Sequence, residues 1–426
     1  MPYGKSEAIV KEKGHYIDSY TMYKASVLMK YKPEKNFYNL DTLTQTPSPD
    51  TSYNMLISPY LYTPQNSLFL KFLPVKSVQG FVACILYTEW LARLLSFSLL
   101  FLLLFYRNRL KGNILSRRGN SESAEIKLPL LTLQPGFCDF AAIALFALSM
   151  HNVPYRSNAY FTQVSGFMSV LVFGAYTASR FGRQFWARIL LFLAGVIKIY
   201  PWFLALFIIK INWRSYAKYA ATGIVLSAIM MLFKVFSFET IYRYLEPKTG
   251  KTAGELRWIF TYLPNSGLYS EFLHLNLSGQ TPDFIISIIY CSTILALLIA
   301  FPILALSRLK TLPDNAGHIL FAIACLLFMQ SVWPVIWVYH YMMMVPFLCL
   351  SVAEKKMPLA IRIASALYAA MLFNGEWLLG WETRFFVSYR WINDINALVA
   401  LTGITALHYE KKNGKTGLVL NTQTRP

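Results

Sequence analysis

The sequence predicts an all-α, polytopic membrane protein built from about ten hydrophobic segments. Three observations predict it. Apolar residues make up 55% of the 426-residue chain and charged residues only 14%, and the mean hydropathy of +0.41 is high for a water-soluble chain. Apolar runs recur from residue 79 onward, and a helix of about 20 such residues crosses a ~30 Å hydrocarbon core. Lysine and arginine gather on alternate loops, the asymmetry that orients membrane helices. The net charge of +19 therefore fits loops held against an anionic leaflet, and no nucleic-acid partner is expected.

In chain order the segments fall at roughly 79–106, 136–151, 159–178, 188–210, 215–236, 283–306, 316–332, 338–353, 358–374 and 391–408. The runs at 136–151 and 338–353 are short for a full crossing and fit a lower tilt, an extension or partial re-entry. Loops carrying Arg107 to Lys127, Arg180 to Arg188, Lys210 to Lys218, Arg308 and Lys310, Lys355 to Arg362, and the tail hold 21 basic residues. The opposite loops, with Arg156, Arg243, Lys248, Lys251, Arg257, Arg384 and Arg390, hold 7. The first set is expected on the cytoplasmic side of the cell membrane.

This alternation requires 188–210 to enter and leave on one side. Lys198-Ile199-Tyr200-Pro201 interrupts it: proline removes a helix donor, and a mid-membrane lysine is costly unless it faces a cavity or a partner. A broken hairpin satisfies both facts; one kinked helix with Lys198 snorkelling is the alternative. Residues 1–78 then form an extracytoplasmic segment, 79–408 a transmembrane domain with outer loops 237–282 and 375–390, and 409–426 a basic cytoplasmic tail. Within the first, DSYTMYKASVLMKY reads as an amphipathic helix. MPYGKSEAIVKEKG lacks a signal-peptide core, so this placement expects a further span upstream of Met1, the inverse orientation being the alternative.

The five cysteines, Cys84, Cys138, Cys291, Cys325 and Cys349, lie in apolar stretches without CxxC spacing. They read as small buried hydrophobes rather than a disulfide framework or zinc site. No acidic cluster suggests another metal, and no cofactor is expected. Polar and aromatic residues gather instead at the inferred outer boundary: Asp18 with Tyr23, Tyr60 to Pro64, Gln163, Lys198 to Pro201, Asn265, and Trp333 through Trp337 to His340 and Tyr341. Each has an ordinary structural role open to it. Asp18 can be a solvated carboxylate, Gln163 an interhelical hydrogen-bonding group, His340 a satisfied interfacial histidine, and the Trp and Tyr residues an aromatic belt.

In order, these residues resemble glycosyltransferase family 87 of the multi-spanning GT-C superfamily. The resemblance runs from about residue 14 to 380 through Asp18, Tyr23 and Ala25, Tyr62-Thr63-Pro64, Gln163, Lys198-Ile199-Tyr200-Pro201, Ile211 to Arg214, Pro264-Asn265-Ser266, and Pro334 to Trp337 with His340-Tyr341. Ser19, Thr162, Ser165 and Tyr339 depart from the family's common residues. The resemblance implies a polyprenyl-phosphate sugar donor, mannose being the most familiar sugar and arabinofuranose occurring among relatives. A glycan or glycolipid acts as acceptor, and transfer inverts the anomeric carbon. It further implies Asp18 as general base, with Lys198 and His340 as partners of the donor phosphate. Tyr23, Tyr62, Gln163, Asn265 and Trp337 would line the sugar or acceptor site. No metal is needed where Lys198 neutralises the leaving group. A transporter or flippase of a lipid-linked saccharide is the rival expectation, and a membrane scaffold a further one.

Overall fold

The computed structural model describes residues 18–32, 34–46, 64–73, 76–116, 136–150, 164–198, 200–204, 213–245, 338–355 and 361–369, together with Ile319, Ile323, Leu326, Met357 and Leu359. Every regular element among them is helical, in agreement with the all-α expectation. The helices are α1 (Asp18–Tyr31), α2 (Leu40–Gln45), α3 (Ser67–Phe72), α4 (Val78–Ser116), α5 (Phe137–Ser149), α6 (Ser165–Arg180), α7 (Gln184–Ile197), α8 (Trp213–Leu232), α9 (Phe238–Leu245) and α10 (Val345–Ala353). Three 3-10 turns join them, at Pro64–Asn66, Tyr200–Leu204 and Val338–Met343.

Two of these helices contain stretches long and apolar enough to cross a membrane, Val78–Phe105 and Arg214–Leu232. Both present large apolar side chains outward. Tyr87, Trp90, Leu91, Leu94, Leu95, Phe101 and Leu102 are exposed along α4, and Ile224, Val225, Ile229 and Leu232 along α8. An apolar face of that size is stable against lipid and not against water. The expected segments at 283–306 and 391–408 lie outside the described residues, as does 316–332 apart from Ile319, Ile323 and Leu326. Those three fall on one helical face and are buried in the main core.

The segment expected at 338–353 divides into the Val338–Met343 turn and α10. Nine residues at 1.5 Å each span about 14 Å, half a bilayer core. Residues Tyr341 to Ser351 are enclosed by protein, and Tyr341, expected in an aromatic belt, is 1% exposed. Its turn packs against the start of α6, where Ser169 Oγ in the second turn donates to the Met342 carbonyl at 3.1 Å. The belt assignment is thereby corrected for Tyr341.

The residue 18–31 helix forms as expected, but it is not amphipathic. Tyr20 to Ser26 are all buried, because α2, α3 and α4 each pack against it. Tyr23 meets Phe81 of α4 edge-on at 5.5 Å, Ser26 Oγ donates to the Leu70 carbonyl at 2.8 Å, and Lys30 Nζ donates to the Leu73 carbonyl at 2.6 Å.

These contacts define one end of the bundle, here the upper end. Phe69 meets Phe167 near the start of α6 at 5.9 Å and packs against the cluster formed by Phe192 and Val196 of α7 with Met230 and Phe236. Gln65 reaches Ser227 in the second half of α8 at 3.5 Å, Lys71 donates to the Lys234 carbonyl, and Arg243 of α9 donates to the Glu34 carbonyl at 3.2 Å. At the opposite, lower end, Arg362 joins the start of α5 to the end of α10, donating to Cys138 Sγ at 2.8 Å and to the Val352 carbonyl at 2.9 Å. Cys349 is fully buried, while Cys84 and Cys138 are half-buried; all three are free thiols. Cys291 and Cys325 lie outside the described residues.

Candidate functional site

The upper end carries the polar chemistry. At its centre is Glu89, in the fourth turn of α4 and 1% exposed. Its Oε2 accepts from the Gly166 amide at 2.9 Å and its Oε1 from the Phe167 amide at 3.1 Å. The first amides of any helix lack intrahelical acceptors, and Val164, at the N-cap of α6, offers no side-chain acceptor. A carboxylate from a different helix takes that role, and its charge also complements the positive end of the α6 dipole. Gly166 is where α4, α6 and the Val338–Met343 turn approach most closely: a Cβ there would meet the Glu89 carboxylate and lie 3.0 Å from Met342 Cε.

One turn along α4, Arg93 is 7% exposed. It donates from Nη1 to the Met150 carbonyl at 3.3 Å and rests 5.3 Å from the Trp90 ring. Met150 is the C-cap of α5, so a cation meets the negative end of a helix. The pair four residues apart on α4 thus holds the end of α5 and the beginning of α6. Sequence reasoning passed over both residues, because the hydropathy of 79–106 outweighs two charges. An acid and a base at i, i+4 inside an apolar run were the available signal.

The interruption at Lys198 is present. Helix α7 stops at Ile197, and Lys198 is its extended C-cap, φ −143° and ψ 141°, with its amide donating to the Ala194 carbonyl at 3.3 Å. The chain resumes as the 3-10 turn Tyr200–Leu204 and folds back along α7. Trp202 Nε1 donates to the Phe192 carbonyl at 3.0 Å, and the two rings stack at 6.0 Å. Gly195 lets this happen, since the Trp202 indole occupies the place a Cβ would take. The ends of α7 and α8 both lie at the upper end, with Gly223 of α8 beside Phe192. The two helices therefore run the same way. The remainder of the expected 188–210 segment, Ile199 and residues 205–210, lies outside the described residues.

The other expected site residues are placed unevenly. The backbone of Asp18 begins α1, and that of His340 lies in the turn packed against α6. Tyr23 is 0% exposed, enclosed between Phe81 and the Tyr20 ring, so its contribution is to seat α1 on α4. Tyr62, Gln163, Asn265 and Trp337 lie outside the described residues. Pro64 and Val338 begin elements of the upper end and Val164 caps the start of another, each near one of them in sequence. Ser165, directly after Val164, is 1% exposed, and its hydroxyl has no hydrogen-bond partner among the described residues. No group of three or more metal-ligating side chains occurs among the described residues.

The model of glycosyltransferase family 87 matches residues 60–334, well over half the chain, and the protein belongs to that family of membrane glycosyltransferases. No curated protein matches it. The matched span includes Tyr62, Gln163, Lys198 and Asn265, and leaves Asp18, Tyr23, Trp337 and His340 outside.

Proposed function

We propose that the protein transfers a sugar, a hexose such as mannose, from a polyprenyl-phosphate donor to a glycan or glycolipid acceptor on the extracytoplasmic face of the cell membrane. Asp18 takes the proton of the acceptor hydroxyl as its oxygen attacks the anomeric carbon. The bond from that carbon to the phosphate oxygen breaks, and its electron pair leaves with the polyprenyl phosphate. Lys198 and His340 offset the charge that develops there. A single displacement inverts the anomeric carbon. Tyr62, Gln163, Asn265 and Trp337 line the sugar or acceptor site, and Tyr23 holds the helix that begins with Asp18.

The observation that carries this reading is the lysine at the end of α7, inside a chain of a glycosyltransferase family and at the end where the N-terminal segment packs. A cation held at low dielectric suits a phosphate leaving group. The test supplies radiolabelled polyprenyl-phosphate mannose and a glycolipid extract to the purified chain in liposomes, with uptake of the lipid-linked saccharide followed in parallel. Labelled product with inverted configuration is expected. Translocation without a new glycosidic bond would establish the flippase in its place.

A further inference from the structure

We propose that Glu89 is a positioning residue for the transfer reaction, fixing the first turn of α6 against the turn that carries His340; the role in transfer rests on the function proposed above. Three observations carry it. Both carboxylate oxygens of Glu89 accept from backbone amides, those of Gly166 and Phe167, at 2.9 and 3.1 Å. Gly166 leaves no room for a side chain between Glu89 and Met342. One turn further into α6, Ser169 ties the same helix to the Met342 carbonyl, two residues from His340. Moving the first turn of α6 therefore moves the Val338–Met343 turn with it.

The arrangement also constrains where the donor phosphate can bind. A helix N-terminus is a ready anion site, yet the α6 N-terminus already holds a carboxylate from within the chain. The α6 N-terminus is thus not open to the donor phosphate, which in the proposed reading meets Lys198 and His340. Glu89 costs the protein an anion buried in an apolar layer, a cost offset only when both oxygens are bonded. A glutamine can accept through one oxygen only and presents an amide donor to the second N–H. Glu89→Gln therefore keeps the size of the side chain and loses the two-point hold.

The experiment uses the full chain in nanodiscs and compares wild type, Glu89→Gln, Gly166→Ala and the double variant. Amide hydrogen exchange of the peptide containing Gly166 and Phe167 is read beside kcat and donor KM. For Glu89→Gln the expectation is faster exchange at these amides, a fall in kcat of at least tenfold, a donor KM within about threefold of wild type, and an unchanged melting temperature. Gly166→Ala reproduces this alone and adds little in the Glu89→Gln background, since both act on one contact. Unchanged amide exchange overturns the proposal, and so does faster exchange with kcat within twofold of wild type. If wild type transfers no sugar from the polyprenyl-phosphate donor, the proposed function falls with the role in transfer, while the exchange arm still decides whether Glu89 holds the turn.

Discussion

Replacing Gly195 by alanine tests whether the turn after Lys198 matters for the chemistry apart from the stability of the fold. The added methyl falls where the Trp202 indole lies, so the indole must leave its place against α7. Two interactions go with it. The bond from Nε1 to the Phe192 carbonyl is worth about 1 kcal/mol net, and the stacked ring pair contributes about 1 kcal/mol. Alanine favours the helix over glycine by about 1 kcal/mol. The turn thus loses about 2 kcal/mol of anchoring, while overall stability changes by only about 1 kcal/mol.

The two quantities separate in measurement. A loss of 2 kcal/mol is close to 30-fold in the anchored population, so kcat/KM for a polyprenyl-phosphate sugar is expected to fall by about that factor. The melting temperature of the detergent-solubilised protein moves by only a few degrees. In a Trp202→Ala background the indole is absent, and Gly195→Ala should then cost nothing further. A Gly195→Ala protein with wild-type kcat/KM would refute the idea that this turn positions Lys198. Strict additivity of the two substitutions would refute the contact as its cause.

The remaining expectations follow from other groups. Asp18→Asn should abolish transfer while donor binding in a pull-down of labelled lipid persists; Lys198→Ala should weaken use of the lipid donor most, and a change confined to acceptor affinity would exclude the phosphate role. Lys24 lies buried in α1, 5.2 Å from the Tyr20 ring and 3.4 Å from the Thr44 carbonyl, and burial lowers its pKa below the ordinary lysine value. Between its folded pKa and that ordinary value the unfolded chain binds more protons, so this residue makes stability rise with pH across that alkaline window. Thermal melts of Lys24→Met should lose that slope; an unchanged slope would place the titration elsewhere. Arg362→Ala removes bonds to the Val352 carbonyl and Cys138 at the lower end and should cost about 2 kcal/mol in thermal unfolding. Donor KM should stay as it is, and a large change in it would show that the two ends are coupled.

The legible features were those encoded within one stretch of chain. The 39 residues of α4 follow from a long apolar run, and the interruption at Lys198 follows from a lysine and a proline three residues apart. The residue 18–31 helix was also visible, but its surroundings were not. A segment with Lys24 and Lys30 reads as half-solvated until α2, α3 and α4 are seen to enclose it. Glu89 acquires meaning from an amide 77 positions later and Arg93 from a carbonyl 57 positions later. Neither distance leaves a local periodic trace. Gly195 and Gly166 likewise look like ordinary small residues until Trp202 and Glu89 are found in the space they leave.

Those hidden features share a physical logic that bears on the proposed chemistry. A site that stabilises charge on a departing phosphate works only if its own charges do not relax toward that phosphate. In an apolar layer a loose carboxylate would compete for a nearby cation, and a loose arginine would compete for the phosphate. At the upper end both tendencies are curbed by backbone. Glu89 gives its two oxygens to the amides that begin α6, and Arg93 reaches toward the carbonyl that ends α5. Glu89 and Arg93 are thus each tied to a helix end, and the proposed role of Lys198 depends on the Trp202 turn that follows it. On this view the sharpest activity losses should come from substitutions that free Glu89 or Trp202, and not from those that thin the apolar core.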